Sequence, residues 1–224
     1  VVGHLPKAVN LEDAVAAGQR SFEHAHLFVR HCSRDAAAWR GGALDAEAPV
    51  ALAERMVGGH DAAACRHAFA RMREAGSWFV PTHVTREEAA RARDPGFTSD
   101  PRLAYLDPLS RWAYRDDLKS TAARYPDARG EAALRVYFEH GLAFTGAAYR
   151  AGVPVLVGTD TALGGFRYHD EMALLARAGL SSAEVLRRAT LDAARYAGQA
   201  HRHGRVAVGH AAGEFFPTGD VLHL

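Results

Sequence analysis

The chain has 224 residues, 48% hydrophobic and 24% charged, which is the composition of a folded protein with one sizeable core. Its 27 basic and 26 acidic residues leave a formal net charge of +1, too little to attract nucleic acid or an anionic membrane surface. No stretch approaches the ~20 apolar residues of a membrane span, and no signal peptide is recognised. We therefore expect a cytoplasmic protein without nucleic-acid or membrane partners, and homo-oligomer formation stays open.

Four short apolar runs bounded by turn residues predict β-strands, and helix-like stretches separate them. The runs cover residues 1–3, 21–23, 78–80 and 153–157. This alternation predicts parallel strands in an α/β fold. A complete eight-stranded βα barrel needs about 250 residues, so four strands predict half a barrel. The first run resembles the end of a buried strand, and we expect the chain to begin within the fold.

Helical periodicity and capping residues predict helices between and after these strands. The predicted helices cover residues 11–17, 61–75, 131–151 and 181–190. The two cysteines, Cys32 and Cys65, are too few for a disulfide framework and lack the spacing of a metal site, so we interpret both as packing residues.

Two longer segments, 30–60 and 93–127, are expected to lie over the carboxyl ends of the strands and to form the wall of a substrate pocket. The periodicity weakens over 93–127, which predicts an irregular excursion. Tyr105, Trp112 and Tyr114 are candidate lining residues, with packing onto the barrel as the alternative.

Three of the four predicted strands end in residues that bind metal ions: His4, His24 and Asp160. Carboxyl ends of parallel strands converge on one rim, so these side chains are expected to lie together. Two imidazoles and a carboxylate suit Zn²⁺ and leave room for a water molecule. The alternative is that these residues bind no metal. In a chain with 13 histidines, a histidine near a strand end is often a surface or core residue, and Asp160 alone would serve as a helix N-cap.

Six stretches of sequence resemble the metal-dependent amidohydrolase superfamily, in its imidazolonepropionase-like and prolidase-like branch. They are VVGHLP at 1–6, AAGQRSFEH at 16–24, FVPT at 79–82, AGVPVLVGTD at 151–160, HDEMALL at 169–175, and ATLDAARYAG at 189–198 with GRVAVGHAA at 204–212. The resemblance implies a TIM-barrel-like (β/α)8 fold of which this chain supplies strands 5–8. Residues 1–198 would be the C-terminal part of the barrel. Residues 199–224 would return toward a small β-sandwich and end in a divergent tail.

The resemblance also assigns roles to individual residues. His4 and His24 would bind one ion of a binuclear pair, with zinc as the expected metal. Asp160 would bind the other ion and act as the catalytic base. Thr82 and His169 would contact the substrate. The alternatives are that Thr82 caps the following excursion and that His169 supports the loop of Asp160.

The implied activity is hydrolysis of an amide or cyclic amide C–N bond by a metal-activated water, in a dipeptide, an acylated amino acid or a lactam-like ring. The family also uses a His-x-His pair on the first strand and a lysine or glutamate on the fourth, and neither is matched here. We therefore expect the parent protein to be the enzyme and this chain alone to be inactive. The alternatives are a non-catalytic fragment or degenerate paralogue, and a generic anion-binding domain using Gly164 and Gly165.

Overall fold

The fold is built around a small parallel sheet, as seen in a computed structural model that describes residues 1–211. Strands β1 (Val2–Gly3), β2 (Ser21–Glu23) and β3 (Trp78–Val80) pair in the order β1-β2-β3, with Glu23 opposite Val80. The fourth predicted run lies beside β3, where Phe79 N donates to Pro154 O at 2.8 Å and Leu156 N donates to Phe79 O at 2.9 Å. It forms a parallel bridge at Val155 and no longer strand.

Helices fill the segments between and after the strands. They are α1 (Leu11–Ala16), α2 (His26–His31), α3 (Ala36–Arg40), α4 (Pro49–Gly58), α5 (Ala62–Ala75), α6 (His83–Ala90), α7 (Pro95–Thr98), a 3-10 helix (Pro101–Tyr105), α8 (Pro108–Arg124), α9 (Ala128–Arg150), α10 (Gly164–Arg177), α11 (Ser182–Ala189) and α12 (Leu191–Tyr196). The architecture is therefore mixed α/β and rich in helix.

Local caps set several helix boundaries where the sequence predicts them. Asn10 accepts from the backbone of Asp13 at the start of α1, and Asp61 accepts from Ala63 N and Ala64 N at the start of α5. Ser181 and Glu184 form the predicted capping box of α11. The helices predicted at 11–17, 61–75, 131–151 and 181–190 are all present, with ends shifted by a few residues.

The excursion over 93–127 is more helical than the sequence predicts, because it contains the 17-residue helix α8. This helix buries only Tyr114 and Leu118, so most of its surface faces solvent and the apolar repeat that marks an amphipathic helix is missing. Asp107 and Pro108 at its start were the available signal: Asp107 accepts from Leu109 N and Ser110 N, and proline is favoured in a first turn.

The main core lies between the sheet and helices α2, α5 and α9. Phe28 of α2 is completely buried and packs edge-on against Phe69 of α5 and Phe79 of β3, with ring centroids 4.9 and 4.7 Å away. Val1 and Val2 are 91% and 59% exposed, so the prediction of a buried first strand is wrong within residues 1–211. The reason is that β1 pairs only with β2 there.

The two cysteines are core residues, as the sequence suggests, but they are also bonded to each other. Cys32 follows α2 and Cys65 lies in the first turns of α5, with Cα atoms 4.9 Å apart and a disulfide between them. The interpretation of both as packing residues alone is therefore wrong. The sequence could not show the bond, because it depends on how α2 packs against α5. Asp61 N donates to Cys32 O at 2.6 Å and holds the two segments together.

Three other expectations concern membrane spans, the return segment and the tail. Within residues 1–211, no helix combines the length and apolarity needed to cross a membrane. Residues 199–211 form turns, without a strand toward a β-sandwich. The divergent tail over 212–224 lies outside the described residues.

Candidate metal centre

The three strand-end residues come together at the carboxyl edge of the sheet. His4 Nε2 lies 2.6 Å from His24 Nε2, and His24 Nε2 lies 3.6 Å from Asp160 Oδ2. One ligand atom from each residue falls within 4.8 Å of the others. His24 is buried, whereas His4 and Asp160 are exposed, so the group is open to solvent from one side. Residues separated by 156 positions of sequence thus meet because parallel strands end at one edge.

The backbone is strained where these side chains are presented. In residues 1–211 three non-glycine residues have positive φ: His24 at 73°, Thr82 at 47° and Asp160 at 48°. Each follows one of three neighbouring strand segments. Such conformations cost on the order of 1–3 kcal/mol and concentrate at functional sites. For a β-branched threonine the conformation is a genuine outlier, so the turn at Thr82 is set by its surroundings.

Thr82 fixes the orientation of His24. The hydroxyl oxygen of Thr82 lies 2.7 Å from His24 Nδ1, and both residues are buried. In the tautomer in which Nδ1 donates to this oxygen, the lone pair of Nε2 points toward His4 and Asp160. Burial and the neighbouring His4 lower the pKa of His24 to about 4, so the imidazole is neutral at pH 7. A neutral, oriented imidazole is the form that binds a metal ion.

The alternative role of Thr82 as a helix cap is taken by another residue. Its hydroxyl does not cap α6. Instead Glu171, from α10, accepts from Val84 N at 2.8 Å in the first turn of α6. Burial raises the pKa of Glu171 to about 8. His169 lies two residues earlier, is exposed and has its ring beside Tyr168, so the structure does not bring it to His4, His24 and Asp160.

The loop of Asp160 is held by a residue that the sequence analysis did not single out. Thr161 Oγ1 donates to Glu88 Oε1 at 3.0 Å, which ties the loop to α6. Burial raises the pKa of Glu88 to about 7. A carboxyl group of α6 therefore positions the residue next to Asp160.

His26 is a further imidazole at this site. Its ring stacks on His24 with centroids 5.1 Å apart, and its Nδ1 is buried without a hydrogen-bond partner. Burial lowers its pKa to about 2, so it too is neutral. The signal was present in the sequence as His24-Ala25-His26, but the spacing did not show that both rings face one cavity.

A cavity of about 420 Å³ contains the three ligand residues. Its lining is His4, Leu5, Pro6, Val9, Glu23, His24, His26, Leu27, Arg30, His31, Trp39, Arg40, Arg86 and Asp160. The first part of segment 30–60 thus forms a wall of this cavity, as predicted. A larger cavity of about 520 Å³ between α6 and α9 contains none of the three ligand residues, so we place the site in the smaller one.

The predicted aromatic lining is only partly where the sequence suggested. Tyr114 is buried and lines a neighbouring cavity that also contains Asp160. Tyr105 and Trp112 are exposed and line neither cavity next to Asp160. Helix α8 buries one narrow face, on which Tyr114 falls and Trp112 does not. Tyr105 lies before α8, at the end of the 3-10 helix.

The donor set fits a divalent metal ion. Two imidazole nitrogens and one carboxylate oxygen are the ligands that catalytic zinc sites use, with a further position for water. A histidine that binds a metal ion must also be neutral and be held by a hydrogen bond at its other ring nitrogen. His24 meets both conditions, because its pKa is lowered and its Nδ1 contacts Thr82.

The chain resembles known proteins over most of its length. The sequence model of the amidohydrolase family matches residues 12–213, which include His24 and Asp160. The chain belongs to the amidohydrolase family. The resemblance seen in the sequence is thereby confirmed. No curated protein matches the chain.

Solved structures resemble the fold of this chain. A bottromycin amidohydrolase is 26% identical, with a TM-score of 0.55 over 89% of this chain and 41% of its own. A Xaa-Pro dipeptidase solved with methionine in its active site is 14% identical, with a TM-score of 0.50 over 90% of this chain and 34% of its own. A further amidohydrolase is 21% identical, with a TM-score of 0.50 over 94% and 35%. The chain therefore spans less than half the length of these relatives.

Proposed function

We propose that the protein is a metal-dependent amidohydrolase that cleaves an amide or cyclic amide C–N bond in a small molecule. The observation that carries this proposal is the meeting of His4, His24 and Asp160 within 4.8 Å at the strand ends of an amidohydrolase-family chain. Dipeptides, acylated amino acids and lactam-like rings are the substrate classes considered.

Each residue has a chemical task in this proposal. His4 and His24 bind a divalent ion, which we propose is zinc, and Asp160 contributes a carboxylate oxygen. The ion would supply a Lewis acid and a bound water with a pKa of ~7. Asp160 is exposed to the cavity, where its carboxylate accepts the proton of the attacking water and returns it to the leaving nitrogen. Thr82 keeps His24 in the binding tautomer and His26 packs behind it. Thr82 also remains a candidate substrate contact.

We propose further that the four strand segments correspond to strands 5–8 of a (β/α)8 barrel. Residues 1–198 would form the C-terminal part of the barrel and residues 199–224 the return segment. The support is that the chain spans 41% of the bottromycin amidohydrolase and has four parallel strand segments within residues 1–211. In the complete barrel, a His-x-His pair and a bridging lysine or glutamate would then complete a site for two ions.

Zinc binding and hydrolysis test this proposal separately. We expect the protein to bind zinc, and His24→Ala to abolish binding, while His169→Ala, an exposed histidine outside the cavity, leaves it unchanged. Asp160→Asn should abolish hydrolysis of N-acyl amino acids and dipeptides when the complete barrel is supplied. Zinc binding that survives His24→Ala would refute the metal site. Metal binding without hydrolysis in the complete barrel would favour the degenerate, non-catalytic alternative.

The cytoplasmic compartment is also a proposal, which the cysteines can test. Disulfides persist in oxidising compartments and are rare in the cytosol. Free thiols at Cys32 and Cys65 in protein trapped directly from cells would support the cytoplasm. A bonded pair would argue for an exported protein.

A further inference from the structure

The cavity of the candidate metal centre has a basic wall. Arg30 of α2, Arg40 of α3 and Arg86 of α6 line it, together with the carboxylates of Glu23 and Asp160. The three guanidinium groups of the wall therefore outnumber its two carboxylates. A positive surplus in a concave, partly buried site favours a negatively charged ligand.

Like Arg40, Arg30 and Arg86 lack an ion-pair partner within residues 1–211. Within residues 1–211, no carboxylate oxygen lies within 4 Å of the guanidinium of Arg30 or Arg86. Arg167, a buried arginine on the neighbouring helix α10, shows the contrast, since it contacts Glu87 at 2.7 Å and Glu88 at 3.3 Å. Half-buried guanidinium groups without partners are electrostatically unsatisfied.

The surroundings of the two guanidinium groups leave them available to a ligand. In the part of the chain that the structure describes, Arg86 Nε donates only to Thr85 Oγ1, at a long 3.3 Å. Asp117 acts on Arg86 from beyond ion-pair distance. Burial lowers the pKa of Arg86, but an arginine keeps its charge at neutral pH. The guanidinium of Arg30 lies 5.0 Å from the ring centroid of Trp39, a contact that orients the group without neutralising it.

The guanidinium groups of the wall suit a carboxylate ligand. A guanidinium group binds a carboxylate through two parallel hydrogen bonds, which a single positive point charge does not provide. The cavity volume of about 420 Å³ falls in the usual range of roughly 300–1,000 Å³ for small-molecule sites, so the metal centre and the arginines can contact one ligand together.

We propose that Arg30 and Arg86 bind the carboxylate of the substrate and thereby select amides that carry a free carboxylate beside the scissile bond. Within the proposed amidohydrolase function, on which this inference rests, N-acyl amino acids and dipeptides are substrates and neutral lactam-like rings are not. Trp39 holds Arg30 in place, and Arg86 is positioned by α6, the helix that begins after Thr82.

Ligand binding measured without turnover tests this inference. The probes are N-acetylglycine and its neutral counterpart N-acetylglycinamide, titrated by ligand-observed NMR into the protein with and without zinc. We expect wild type to prefer N-acetylglycine in both conditions. Arg86→Gln should weaken the binding of N-acetylglycine about tenfold or more, because a charged hydrogen-bond partner of the carboxylate is removed. The neutral amide should be unaffected.

Matched variants separate charge, geometry and folding. Arg86→Lys keeps the charge but not the paired donors, so we expect an intermediate loss. Arg30→Gln should resemble Arg86→Gln. Arg71→Gln removes an arginine from α5, outside this cavity, and should change nothing. Thermal unfolding of each variant identifies any that has lost its fold, and Arg86→Lys then still reports on the site.

The outcomes distinguish this inference from the proposed function. Equal affinity of wild type for the two probes, or equal weakening of both probes by Arg86→Gln, would overturn it even if zinc binds. Inorganic phosphate that competes more strongly than N-acetylglycine would overturn the choice of a carboxylate. A carboxylate preference that depends on Arg86 in a protein without zinc binding would support the inference while the metal-centre proposal fails.

Discussion

Replacing Thr82 by valine gives the sharpest test of how the candidate centre is built. Valine has nearly the same shape and is also β-branched, so the strain at the φ of 47° is retained while the 2.7 Å contact from Thr82 Oγ1 to His24 Nδ1 is lost. Both residues are buried, and water cannot easily replace the missing partner. Leaving a buried polar atom unpaired costs about 1–3 kcal/mol of unfolding free energy.

The effect on metal binding should be of similar size. Loss of the group that orients a ligating histidine typically weakens metal affinity about 10–100-fold, which corresponds to about 1.4–2.8 kcal/mol. We expect Thr82→Val to lower zinc affinity by this factor in a titration against a competing chelator, and to lower the free energy of unfolding in urea. Thr82→Ser keeps the hydroxyl and should restore most of the zinc affinity.

Thr145 offers a matched control for the same chemical change. It is completely buried in α9, and its hydroxyl has no hydrogen-bond partner. Thr145→Val should leave zinc affinity unchanged, and stability should stay the same or rise, because an unpaired buried hydroxyl is replaced by a methyl group. Zinc affinity that is the same in Thr82→Val as in wild type, or equally poor in Thr82→Ser, would refute the assigned role.

Three further predictions concern stability. Asp61→Ala removes the cap of α5 and should cost about 1 kcal/mol in urea unfolding, whereas Asp61→Asn should cost less. Reduction of the Cys32–Cys65 bond, which spans 33 residues, should lower stability by about 4 kcal/mol on the chain-entropy model, seen as a shift in unfolding midpoint with reductant. Burial lowers the pKa of His83 from 6.5 to about 3. Below pH 6.5 the unfolded chain therefore binds a proton that the folded chain does not bind, and the free energy of unfolding falls as the pH drops. Between pH 8 and about pH 5, the free energy of unfolding should fall by about 2 kcal/mol less in His83→Leu than in wild type. An unchanged pH dependence would contradict this.

The sequence was sufficient where the signal is local. The caps at Asn10, Asp61 and Ser181 each act within three residues, so helix starts were predictable from short patterns. The strand ends that carry His4, His24 and Asp160 were also predictable, because short apolar runs and the turn residues after them mark them. Helix α8 was missed because it faces solvent on most sides and leaves no apolar repeat.

Contacts between distant segments were decided by the tertiary structure alone. Thr82 meets His24 because β2 and β3 pair with Glu23 opposite Val80, which brings the residues after each strand together. The same applies to the bond between Cys32 and Cys65, and to Arg30 and Arg86, which reach one cavity from α2 and α6. Residue types and strand ends can be predicted from local sequence. Hydrogen-bond partners and unpaired charges depend on strand register and helix packing, because only the folded chain brings distant segments into contact.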